Sequence, residues 1–181
     1  MHSGALAISW VSSLYYSNPL NLVARRAQAI LEQTNPTALA GALAVLAPLK
    51  ADYPALTKDE SSNPFTECAL FADNIKGEGY SFQSNWHFIN IPYYNEGGSP
   101  SDYTFKQSSI DLVAALEALT GMLTNTGDYA STTYYQQIAA AFPNPADQNS
   151  FALRLVIHYV GDIHQPLHAE AEVNKTYPNG D

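Results

Sequence analysis

From residue 20 onward, apolar side chains recur at three- and four-residue steps, the period of helices that bury one stripe. Leu22, Val23, Ala27, Ile30 and Leu31 form the first stripe. Thr34-Asn35-Pro36 stops that helix and starts the next, because asparagine caps well and proline suits the first helical position. Ala38 to Leu46 is rich in good helix formers, and Pro48 is expected to close the helix. Residues 51–62 are polar, contain Pro54 and read as a loop. Asn63-Pro64 repeats the start signal, with Glu67 in the first turn where the helix dipole favours an acid. This third helix is expected to run to about Lys76 and to end at Gly77.

Gly77 to Asn85 reads as a loop. Trp86 to Tyr94 is aromatic and β-branched, but Pro92 makes it an extended segment, not a central strand. Residues 95–104 form another loop. Ser109 is placed to cap a helix in which Ile110, Val113, Leu116 and Leu119 share a face. A shorter helix spans about Tyr134 to Phe142. Asn144-Pro145 starts the last helix, which turns Phe151, Leu155, Val156 and Tyr159 inward and ends at Gln165-Pro166. The tail, Glu170 to Asp181, has no apolar periodicity and could not pack alone. The pattern is mainly helical.

With 181 residues, 46% apolar and 14% charged, the chain has material for one domain with a sizeable core, and disorder of the bulk is excluded. The formal charge of -9 excludes a broad basic face for gripping nucleic acid. A polyanion would need another holder, such as metal cations bound at one place. Cys68 is the only cysteine, so no internal disulfide forms, and either redox compartment stays open. No apolar run reaches the length of a membrane span. The start, Met1 to Val11, is mildly apolar but lacks the basic residues of a signal peptide.

Three of the five histidines lie in the stretch from His158 to His168. His158 and Asp162, four apart on a helix, project from one face. They can present an imidazole and a carboxylate to one metal ion, or form a bonded core pair; spacing alone leaves both open. His168 follows a proline break and can turn back toward the same place.

The run Leu155-Val156-Ile157-His158-Tyr159-Val160-Gly161-Asp162-Ile163-His164-Gln165-Pro166-Leu167-His168 resembles the central signature of the S1/P1 zinc nucleases. Ala69-Leu70-Phe71-Ala72-Asp73-Asn74-Ile75-Lys76 is similar to that family's Ala-Ser-Trp-Ala-Asp helix. Asn85-Trp86-His87-Phe88-Ile89-Asn90-Ile91-Pro92-Tyr93 resembles a third block, in the expected order. The resemblance covers about residues 20 to 181. It implies an all-α, phospholipase C/P1 nuclease-like fold around three zinc ions, and hydrolysis of single-stranded DNA and RNA to 5'-nucleotides, with 3'-nucleotidase activity in many members.

By the same resemblance, Asp73, His87, His158 and Asp162 match ligands of the first zinc. Asp162 also bridges toward the third, and His168 matches a ligand of the second. Lys76 matches a basic residue beside the scissile phosphate, Phe88 a ring that stacks on a nucleobase, and Asn90 a base-contacting position commonly held by Asp. Each has a plainer reading: Asp73 a capping or solvated acid, His87 a structural histidine, Lys76 a partner of the helix dipole, Phe88 and Trp86 core. His164 reads as an orienting or hydrogen-bonding histidine.

The chain also departs from the pattern. Pro19-Leu20 stands where Gly-His is expected, and leucine cannot ligate zinc. Neither His2 nor Trp10 restores the terminal ligands, so residues 1–20 read as atypical and residues 21–181 as a partial family domain. The Gly-Gly-Asn segment and the later His and Asp that complete the second zinc are absent, as are paired cysteines. The expectation is a truncated domain in which the first zinc site has its full set of side chains. A phospholipase C-like hydrolase and an inactive helical remnant are the alternatives. The family implies single-stranded nucleic acid or nucleotides as substrate and a secreted or lumenal location.

Overall fold

The structure is a computed structural model that describes residues 18–97 and 99–181. The expectations for His2, Trp10 and the remainder of residues 1–17 lie outside the described residues. Asn18 opens helix α1 (Pro19–Thr34), its Oδ1 accepting from the Leu20 N–H at 2.9 Å. The helix is rolled away from the expected stripe. Asn21 and Ala24 are buried, Ala27 and Leu31 are partly covered, and Leu22, Val23 and Ile30 stay exposed. Three strongly apolar residues on the expected stripe therefore stay outside while a small one is buried, because alanine lets the backbone come close to its neighbours.

Asn35 caps helix α2 (Pro36–Asp52), accepting from the Ala38 N–H at 3.1 Å. Pro48 does not end this helix but lies inside it. The disrupted ladder is met from helix α7 (Pro145–Asp162). Ser150 Oγ accepts from the Leu49 N–H at 3.3 Å and donates to the Leu46 carbonyl at 2.8 Å. Arg154 Nη2 donates to that same carbonyl at 3.0 Å. Side chains more than a hundred residues away thus bond backbone groups on either side of the proline.

The segment after Asn63 is broken, not one helix. α3 (Pro64–Glu67) and α4 (Phe71–Asn74) alternate with 3-10 turns at Cys68–Leu70 and Ile75–Glu78. It ends at Gly79, φ 94°, two residues beyond the expected Gly77. Asn63 makes no side-chain cap; instead Glu67 accepts from the Ser61 and Asn63 N–H groups at 2.7 and 3.0 Å. Ala69, Ala72 and Ile75, three residues apart, are all buried, a spacing that the tighter helix keeps in line. Ser81–His87, expected as loop up to Asn85 and as extended chain from Trp86, is a further 3-10 helix that buries Gln83, Trp86 and His87.

Strand β1 (Ile91–Tyr93) pairs in parallel with β2 (Glu170–Glu172), in the register Ile91↔Glu170, Pro92↔Ala171, Tyr93↔Glu172. The tail thus packs through a partner distant in sequence, with Ala171 and Val173 buried. Pro92 is tolerated because each strand of a two-stranded ladder has a free edge. Asp111, not Ser109, caps α5 (Leu112–Thr124), its Oδ1 accepting from the Ala114 N–H at 2.9 Å. That start gives a core face of Leu112, Ala115, Leu119 and Met122 and leaves Ile110 and Val113 exposed.

Thr132 caps α6 (Thr133–Ala141), and Asn144 caps α7. α7 is the central element. Phe151, Leu155 and Tyr159 are fully buried, and so are Ser150, Arg154, His158 and Asp162. Phe71, Tyr80, Phe82, Phe142 and Phe151 form an aromatic cluster beside it. The fold is all-α with one short ladder. Among the described residues, no helix is long and apolar enough to cross a membrane.

Candidate metal centre

Three stretches of chain deliver polar side chains to one place at the C-terminal end of α7. The helical pitch alone sets His158 and Asp162 together: His158 Nε2 lies 3.1 Å from Asp162 Oδ2. The 3-10 helix brings in His87, whose Nδ1 lies 2.8 Å from Asp162 Oδ2 and 3.1 Å from His158 Nε2. α4 contributes Asp73, with one oxygen 4.0 Å from His87 Nδ1 and the other 3.9 Å from His158 Nε2. Asp73, His87 and His158 each offer a ligand atom, and these atoms lie within 4.8 Å of one another. These three residues make a possible metal site.

The far side of each imidazole decides what the near side can do. His158 Nδ1 lies 2.6 Å from the Ala69 carbonyl, so it carries a proton and leaves Nε2 as an acceptor. His87 Nε2 faces Gln83 Oε1 at 2.7 Å. The Gln83 amide is oriented by its other end, where Nε2 donates to the Ala72 carbonyl at 2.7 Å. The neutral form of His87 is therefore protonated at Nε2 and offers a lone pair at Nδ1. In their neutral forms the two imidazoles thus turn lone pairs toward each other and toward a carboxylate oxygen. Such a set repels itself unless a cation or an added proton lies between, and neutral imidazole with carboxylate is a donor set that suits zinc.

Burial lowers the His87 pKa, keeping the ring neutral, as a metal ligand must be. Burial opposes ionisation of Asp162, but a proton carried by His158 or His87 on the side facing it outweighs burial, so with such a proton in the cluster that carboxyl lies well below the usual range. At Asp73 burial is again outweighed, here first by the Lys76 ammonium at 2.8 Å. Asp73 is half exposed and Asp162 is not, so the first can face an incoming group while the second is a fixed wall.

The remaining expected residues lie around this cluster. His168 turns back after Pro166, with Nδ1 3.6 Å from Asp162 Oδ1 and 2.9 Å from the His87 carbonyl. Phe88 is half-buried with its ring centroid 4.6 Å from that of His168. Asn90 is half-buried with φ 55° in the left-handed region, directly before β1. His164 is exposed and lines the cleft beside the cluster, with Nδ1 2.6 Å from the Val160 carbonyl. Trp86 is core, edge-on to Tyr134.

A cleft of about 300 Å³ opens beside the cluster, lined by Asp73, Asp162 and His168 together with Pro19, Leu20 and Val23. Leu20 packs against Gly161, where a Cβ would meet its Cδ2 at 2.4 Å. Sequence reasoning missed Gln83, the Tyr159 hydroxyl and the Ala69 carbonyl. Only the position of Gln83, four residues before His87, was a signal, and it was hidden by reading that stretch as a loop.

Comparison with known families matches residues 21–177 to S1/P1 Nuclease. Comparisons with curated proteins and with solved structures gave no match. A match over most of the chain, with the three sequence blocks meeting at one site, means that this chain belongs to the S1/P1 nuclease family.

Proposed function

We propose that this chain hydrolyses phosphodiester bonds of single-stranded DNA and RNA to 5'-nucleotides with the help of bound zinc. The observation that carries the reading is the meeting of His87 Nδ1, His158 Nε2 and Asp162 Oδ2 within 3.1 Å of one another beside an open cleft. Asp73, His87, His158 and Asp162 would hold the first zinc, and His168 would serve a second. Zinc, when bound there, supplies an acidified water and charge to neutralise phosphate oxygens.

The protein's own part follows from position. Lys76, one turn after Asp73, places an ammonium at the exposed side of the cluster, where it steadies the phosphate. The half-buried Phe88 ring offers a stacking face to an unpaired base, worth on the order of 1–3 kcal/mol. Asn90 lies two residues on and would contact the base edge. Stacking is indifferent to base identity, and a local cluster of cations holds the strand despite the -9 charge. A secreted or lumenal location goes with this reading.

The test is elemental analysis of the purified chain, followed by assays on a single-stranded polynucleotide and on phospholipid, with and without chelator. Bound zinc and polynucleotide hydrolysis that chelator removes and zinc restores are expected. Zinc at background level removes the site. Cleavage of lipid instead of polynucleotide overturns the substrate class, and zinc binding without hydrolysis favours the inactive remnant.

A further inference from the structure

The hydrogen bonds behind His87 carry a further assignment, one that rests on the metal reading above. Gln83 is completely buried. Because its Nε2 is committed to the Ala72 carbonyl, its Oε1 must be the atom that meets His87, and Oε1 also accepts from the Tyr159 hydroxyl at 2.8 Å. Tyr159 is itself buried, one residue after His158 on α7. An amide oxygen can only accept, so it selects the His87 tautomer whose proton is on Nε2.

We propose that Gln83, clamped by Ala72 and Tyr159, is the positioning residue that makes His87 an Nδ1 ligand for a divalent cation. A buried glutamine that merely satisfied a buried histidine would affect folding and nothing else. A residue that sets the tautomer and ring angle also sets metal affinity, since outer partners of ligating histidines are typically worth about 10–100-fold.

Zinc affinity by competition with a chromophoric chelator, measured with the melting temperature of the metal-free chain, separates these roles. Gln83→Met, which keeps the length but offers no oxygen, is expected to bind zinc about 10–100-fold more weakly. Gln83→Glu, which still accepts from the ring N–H, is expected to stay close to the parent, and Tyr159→Phe to fall between. Parent-like affinity in Gln83→Met overturns the proposal, and so does an equal loss in Gln83→Met and Gln83→Glu. Nitrogen-15 NMR of the metal-free parent at alkaline pH reads the tautomer without any variant having to fold. Nε2–H is expected at His87, and Nδ1–H overturns the proposal. A parent that binds no zinc yet shows Nε2–H sinks the metal reading while leaving the hold of Gln83 on the ring in place.

Discussion

His87 Nδ1 and Asp162 Oδ2 lie 2.8 Å apart, although 75 positions separate the two residues in the chain. Asp162 touches His158 as closely as the helix allows and also faces His168, so one carboxylate is the hub of the cluster. Asp162→Asn keeps its volume and removes its charge. Zinc binding is expected to weaken by about a hundredfold or more, at or beyond the upper end for outer-shell changes. The metal-free variant is expected to be at least as thermally stable as the parent, because an amide N–H can donate to the His87 lone pair. Calorimetry with and without zinc checks both; a metal-free variant that unfolds earlier would mean that the carboxylate serves packing.

Lys76 approaches Asp73 at 2.8 Å but remains about one-third exposed at the rim of the cluster. Lys76→Met is expected to lower kcat for single-strand hydrolysis by on the order of 10²–10³, the cost of losing one donor to a developing charge. Zinc content should not change. Steady-state kinetics on metal-loaded protein read the effect, and an unchanged kcat would remove the residue from the reaction.

Arg154 is fully buried and bidentate to Glu60, at 2.6 and 2.7 Å, with Phe71 beneath its guanidinium. It also reaches the Leu46 carbonyl, two residues before Pro48 in α2. Arg154→Met is expected to cost about 3–5 kcal/mol, because Glu60 would be left as an unpaired buried charge. Adding Glu60→Gln should recover part of that loss. Denaturant titration of the single and double variants decides, and a single variant within error of the parent would contradict it.

Asp147 is buried in the first turn of α7, and its Oδ1 has no hydrogen-bond partner. Burial, and then the neighbouring charge of Asp52, raise its pKa. The native state therefore takes up this proton more readily than the unfolded state, so the group costs stability once pH rises above its ordinary value of about 3.9. Asp147→Asn is expected to gain on the order of 1 kcal/mol at pH 7, about 2–4 °C in melting temperature. The gain should shrink as the pH is lowered toward that ordinary value. Melting curves across pH test the sign; a gain that grows in acid would reverse the argument.

Local signals were legible wherever the physics is local. Asn35-Pro36 and Asn144-Pro145 open helices as their capping chemistry requires, and the four-residue step from His158 to Asp162 becomes contact through the helical pitch alone. Asp73 and His87 were recognisable through their surrounding blocks, but nothing in either block contains their distance from α7. Ser109 looked as good a cap as Asp111, and Pro48 looked like a stop. Both expectations failed because the deciding partners, the packing face of α5 and the Ser150–Arg154 pair, lie elsewhere in the chain.

The amino-acid order by itself determined the helical class, most helix starts and the chemical identity of the candidate site, since capping, periodicity and donor type reside in neighbouring residues. Tertiary structure alone decided which face of α1 and α5 is buried, how β1 finds β2, and that Gln83 stands behind His87. Those outcomes depend on which distant surfaces can be desolvated together, and no short stretch of sequence contains that information.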